Sequence, residues 1–180
     1  MPMSKKHLAV SGSAALLVVV SLAFAGGKGI LFPDFSEPTK GTFEKPEAEI
    51  GKKPTAKTLW STTTVAGGIV GKGPLKGEAV SITGEVIDLS CYLQVGKHGD
   101  KHRDCGQKCA RHGQPIGLLT ADGSVYMLID EEHDPRRDGQ TELRTQLIDH
   151  MAHVVKVNGT YSEVEGQKAI YVQGSIKSKS

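Results

Sequence analysis

The sequence predicts a small, mainly β domain. It has a five-stranded barrel with one short helix and a Cys/His loop helix, preceded by an N-terminal apolar helix and an extended arm. Three observations lead there. After about residue 77, five short strand-like segments follow, three alternating apolar and polar residues and two reading as apolar runs, with turn dipeptides at Asp122-Gly123 and Glu165-Gly166. One stretch, TELRTQLIDHM, has apolar residues at helical spacing instead. All three cysteines and three of the seven histidines fall in the single window CYLQVGKHGDKHRDCGQKCARH, Cys91 to His112.

Taken in order, residues 1–25 combine Lys5 and Lys6, an uncharged apolar run over residues 8–25 and the small-x-small close Ala23-Phe24-Ala25. These are the parts of a secretory signal peptide, and the run also reaches the length at which it can serve as an uncleaved membrane anchor. The chain is therefore expected to be exported, on the periplasmic or extracytoplasmic side, and tethered to the inner membrane through residues 8–25 if these are retained. No twin arginine precedes the run, which points to the Sec route. Without residues 1–25, which hold two lysines and no acids, twenty basic and twenty acidic side chains remain. That neutrality argues against a nucleic-acid partner.

Residues 26–76 are rich in Gly, Pro, Lys and Thr and lack a sustained apolar period. They read as a linker or arm. Either it is a solvated tether or, because Ile30, Leu31, Phe32, Phe35 and Trp60 are costly to expose, it docks along protein subunits of a membrane complex.

The domain proper is expected over residues 77–180. In EAVSITGEVID, Val80, Ile82 and Val86 alternate with polar residues, and Gly84 permits a kink or bulge. PIGLLTADGSVYMLID reads as two strands around Asp122-Gly123. Leu143, Leu147, Ile148 and Met151 mark the helix, and HVVKVNGTYSEV and KAIYVQGSIK close the domain around Glu165-Gly166. Five strands with a helix between the third and fourth match the element order of an OB fold. The first strand and the closing pair resemble those of exported bacterial OB-fold domains. So does the series Cys91-Tyr92, His102-x-x-Cys105 and Cys109 before Gly113-x-Pro115. The resemblance implies an OB-like barrel with its Cys/His loop, residues 91–115, between strands one and two, and it implies no activity.

The spacing His102-x2-Cys105-x3-Cys109 puts three ligand-type side chains on one face of a helix. Cys91, at the end of the first strand, can close over them, with His98 and His112 flanking the stripe. Three thiolates and an imidazole suit tetrahedral zinc or thiophilic copper(I). Asp88 is placed to accept a hydrogen bond from a ligand histidine or to face solvent. The competing readings are a disulfide from Cys91 to Cys105 or Cys109, worth on the order of 3 kcal/mol, and a redox pair of Cys105 and Cys109. Covalent haem fails because Ala110 and Arg111, not histidine, follow Cys109. Sec export leaves no simple route for loading an iron–sulfur cluster.

His150 and His153 are expected to complement the helix dipole at the helix exit. The acidic run Asp130, Glu131, Glu132 and Asp134 around His133 reads as a solvated turn in preference to a cation site. With no phosphate loop or nucleophile triad in the sequence, the expected role is binding rather than catalysis. The leading reading is a metal-binding accessory subunit of a membrane-associated complex. A thiol oxidoreductase and a metal-free, disulfide-stapled structural subunit are the alternatives.

Overall fold

The computed structural model describes residues 36–68, 71, 73–131 and 141–174, all within the unit Asp34–Ser180. Among them are strands β1 (Glu49–Ile50), β2 (Glu78–Asp88), β3 (Ile116–Leu119), β4 (Val125–Asp130), β5 (Val154–Val164) and β6 (Gln167–Val172). The helices are α1 (Thr62–Gly68), α2 (Leu89–Val95), α3 (Arg103–Arg111) and α4 (Glu142–Asp149), with a 3-10 turn at Asp100–His102.

The five long or hairpin-forming strands close on themselves. β2, β3 and β4 run antiparallel in sequence; β4 pairs with β6 in parallel, β6 with β5 antiparallel, and β5 with β2 antiparallel. Closure satisfies the backbone groups that an open sheet would leave at its edges. The predicted turns hold. Gly123 has φ 82°, and the Asp122 carboxylate accepts from the Ser124 amide at 3.1 Å. Glu165 and Gly166, at φ 51° and 80°, make the second hairpin, a pair of left-handed residues that matches strand twist.

Period-two alternation places Val86, Leu118, Leu128, Val155, Val157, Ile170 and Val172 inside. The end of the barrel is plugged by Leu143, Leu147 and Ile148 of α4, by Met151 and by Ala110 of α3. Thr141 caps α4 by accepting from the Arg144 amide at 3.1 Å. Gly84 sits where β2 passes from β5 to β3. A Cβ there would lie 2.7 Å from Leu118 Cγ and 2.8 Å from the Leu119 carbonyl oxygen.

The described part of the arm packs on the barrel of its own chain. β6 covers β5 only from Thr160 onward, and β1 pairs in parallel with Lys156 and Val157 on the edge β6 leaves open. Ile50 is fully buried there, and Trp60 packs edge-on against Tyr171 at 5.0 Å. A solvated tether therefore does not describe residues 36–60; the cost of exposing Ile50 and Trp60 is met within the chain. Glu131 departs from expectation too. It is buried, not part of a solvated turn, and accepts from the Ser61 amide at 2.8 Å and the Thr64 hydroxyl at 2.5 Å, holding the start of α1. Glu132, His133 and Asp134 lie outside the described residues, as do residues 1–35 with the expected signal peptide or anchor. No helix among the described residues is long and apolar enough to cross a membrane.

Candidate metal centre

Five residues of β2 in a row, Gly84 to Asp88, are buried on both faces. The barrel core covers one face. The segment after β2 folds back over the other, and that fold-back builds the site.

Asp88 ends β2 and caps α2, its Oδ1 accepting from the amides of Ser90 at 3.0 Å and Cys91 at 3.3 Å. Cys91 consequently stands in the first turn of a helix and not, as expected, at the end of the strand. Gly96, in the left-handed conformation, stops α2 by donating to the Tyr92 carbonyl at 2.7 Å. The chain then returns across β2. Both oxygens of buried Glu85 are used there, Oε2 by His98 Nδ1 at 2.9 Å and Oε1 by the Gly99 amide at 2.7 Å. The 3-10 turn follows and delivers His102 to the start of α3, where its ring is almost fully buried. Gly106 lets α3 lie close: a Cβ there would be 3.1 Å from the Met151 side chain and 3.4 Å from Asp88 Cβ. Gln107 donates to the Ile148 carbonyl at 3.0 Å and Arg144 to those of Ala110 and Gln114 at 2.7 Å, fastening α3 to α4.

The result is a group of Asp88, Cys91 and His102 whose ligand atoms all lie within 4.8 Å of one another. His102 Nε2 is 3.8 Å from Asp88 Oδ2. Both atoms are buried, and neither makes a hydrogen bond of ordinary geometry. Burial, then Asp88, then Cys109 and Cys105 push the Cys91 thiol up to about 12. Burial first, then Asp88 and Cys105, also raises the thiol of Cys109. Burial lowers His102, outweighing the attraction of Asp88, so the imidazole is held neutral.

A buried carboxylate oxygen and imidazole nitrogen facing one another unpartnered are costly. A cation bound between them would satisfy both. Beside them lies a cavity of about 10 Å³ lined by Glu85, Asp88, His98 and His102 among others, on the order of one water or ion. The residues therefore fit a small metal ion. A thiol, an imidazole and a carboxylate are the donors zinc accepts, with neutral imidazole and deprotonated thiol as the binding forms.

Of the sequence-predicted ligands, Cys91 and His102 are in the tight group. Cys109 is half-buried beside Asp88, and Cys105 is exposed on the same helix, near enough to act on both other thiols. All three cysteines are free thiols. His98 is engaged by Glu85 and edge-on to Tyr92, and His112 is exposed at the end of α3; neither joins the group. Asp88 stands within the ligand group itself. Glu85 escaped the sequence reading because alternation assigns it to solvent, and the only hint was the His98-Gly99 pair that covers it.

A larger cavity of about 450 Å³ lies between α4 and β4, but its Arg144 guanidinium is spent on backbone carbonyls. The chain has no significant match among protein-family models, curated proteins or solved structures.

Proposed function

We propose that the chain is an exported, metal-binding OB-type accessory domain whose Cys/His segment is pinned to the barrel by one metal ion. The observation that carries this reading is the pair of buried, unpartnered atoms, Asp88 Oδ2 and His102 Nε2, grouped with the Cys91 thiol. The OB assignment is supported by the strand order of the ring, first-second-third-fifth-fourth and back to first, and by α4 between the third and fourth strands. Zinc is favoured over copper(I), because a carboxylate and an imidazole in the tight group are harder donors than thiolates alone. Cys109 is the natural fourth ligand, with Cys105 next to it on α3. The role is structural: the ion joins the end of β2, α2 and the start of α3, the three pieces the loop must hold together.

The thiol oxidoreductase reading is disfavoured by direction. Such enzymes lower a thiol pKa, whereas burial and Asp88 raise that of Cys109, one of the pair Cys105 and Cys109 this reading needs. Membrane tethering rests on residues 1–25, and a role in a membrane complex rests on Ile30, Leu31, Phe32 and Phe35 of the arm.

Cobalt(II) titration of the reduced full chain tests the assignment. A thiolate-to-cobalt charge-transfer band that saturates at one equivalent, and is lost in Cys91→Ser, is the expected result. A chain giving no such band, or one untouched by Cys91→Ser, would remove the assignment.

A further inference from the structure

A second group of ligand-type residues lies away from the thiols. Glu47 of the arm, His150 at the exit of α4 and His153 just before β5 have ligand atoms within 4.8 Å of one another. The expected dipole role fits His150, whose Nδ1 donates to the Gln146 carbonyl at 2.8 Å. It does not fit His153, which is 4 % exposed and lies in the barrel wall, its backbone bridged to Lys40.

We infer that Glu47, His150 and His153 form a second divalent-cation site, of the zinc class, that clasps the arm to the barrel. Three observations support it. Buried His153 leaves Nε2 without a hydrogen-bond partner, while Nδ1 lies directly against Glu47 Oε2. The hydrogen bond from His150 Nδ1 fixes the tautomer that leaves the Nε2 lone pair for a metal, the usual outer-shell arrangement of a ligand histidine. Two imidazoles and one carboxylate are an established zinc donor set, with a position left for water or a fourth ligand.

The placement gives the site a consequence. Glu47 lies two residues before β1, and its amide donates to the Val154 carbonyl at 2.9 Å. The cation would lock in place the short strand that covers the open edge of β5. Lys40, 3.3 Å from Glu47 Oε1, and Arg103 add positive charge nearby, so binding is weaker than at a thiolate centre. Lys40 is largely exposed and can swing away.

The site does not depend on the thiol centre, and the test separates them. The full-length chain carrying Cys91→Ser, Cys105→Ser and Cys109→Ser is titrated with zinc chloride by calorimetry, while hydrogen exchange follows the amides of Glu47 and Lys156. One saturable equivalent is expected, with slower exchange at both amides. Glu47→Gln or His150→Gln, both at less buried positions than His153, should weaken binding at least about tenfold and abolish the exchange response. If the cysteine-free chain does not fold, zinc per chain is counted by native mass spectrometry in the parent background, where Glu47→Gln should remove one of two ions. No saturable binding, or binding indifferent to both substitutions, would overturn the inference.

Discussion

Replacing Asp88 with asparagine separates its two duties. As a cap, Asp88 uses Oδ1 on the amides of Ser90 and Cys91. Asparagine keeps that oxygen and ranks with aspartate as an N-cap, so α2 should keep its start. As a site residue, Asp88 presents a buried, unpaired Oδ2 at 3.8 Å from His102 Nε2. An asparagine amide in that place can donate to the imidazole nitrogen, pairing both orphans for up to about 1 kcal/mol. Metal-free Asp88→Asn should thus be at least as stable as the parent chain. Its zinc affinity should fall about 10- to 100-fold, some 1.4–2.8 kcal/mol of binding. Asp88→Ala, losing the cap as well, should lose about 1 kcal/mol of stability. Urea unfolding of the metal-free proteins and competition against a chromogenic chelator measure the two quantities. Parent-like zinc affinity in Asp88→Asn, or a metal-free stability loss equal to that of Asp88→Ala, would leave Asp88 only a cap.

With its thiol pushed up to about 12, Cys91 of the metal-free protein should react with iodoacetamide at pH 8 about three orders of magnitude more slowly than an ordinary exposed thiol. Peptide mapping should find Cys105 labelled first, and equal rates at the two would contradict the geometry. Gly84→Ala should cost about 1–3 kcal/mol in urea unfolding, because the new Cβ meets Leu118 and the Leu119 carbonyl on the adjacent strand; a cost below about 0.5 kcal/mol would mean the strands separate easily. Glu131→Ala strips the Ser61 amide and the Thr64 hydroxyl of their acceptor, and should speed hydrogen exchange at the start of α1 while leaving the barrel protected. Uniform protection across both would show that Glu131 does not hold that helix.

The barrel was legible because each of its strands carries its own signal. Val80, Ile82 and Val86, and Val155 and Val157 in the run from Val154, fall at alternate positions, and Asp122-Gly123 and Glu165-Gly166 mark the reversals. The docking of the arm was not legible. β1 is two residues long and is held through the backbone of β5, which leaves no periodic trace. In the site, the spacing of Cys105 and Cys109 foretells α3, with His102 just before its first residue, whereas alternation alone puts Cys91 at the strand end even though Asp88 followed by Leu-Ser-Cys is a readable helix start. Glu85 and the Glu47–His150–His153 group could not be read locally. Their meaning comes from segments distant in sequence folding over them, which neither alternation nor helical spacing records.

Native mass spectrometry with elemental analysis of the full chain, purified without added metal, shows whether an ion pins the Cys/His segment to the barrel. About one zinc held through the thiol centre, lost together with Cys91→Ser, is the predicted result. A metal-free chain two hydrogens light, its segment from Cys91 to Cys109 closed by a disulfide, would contradict the account.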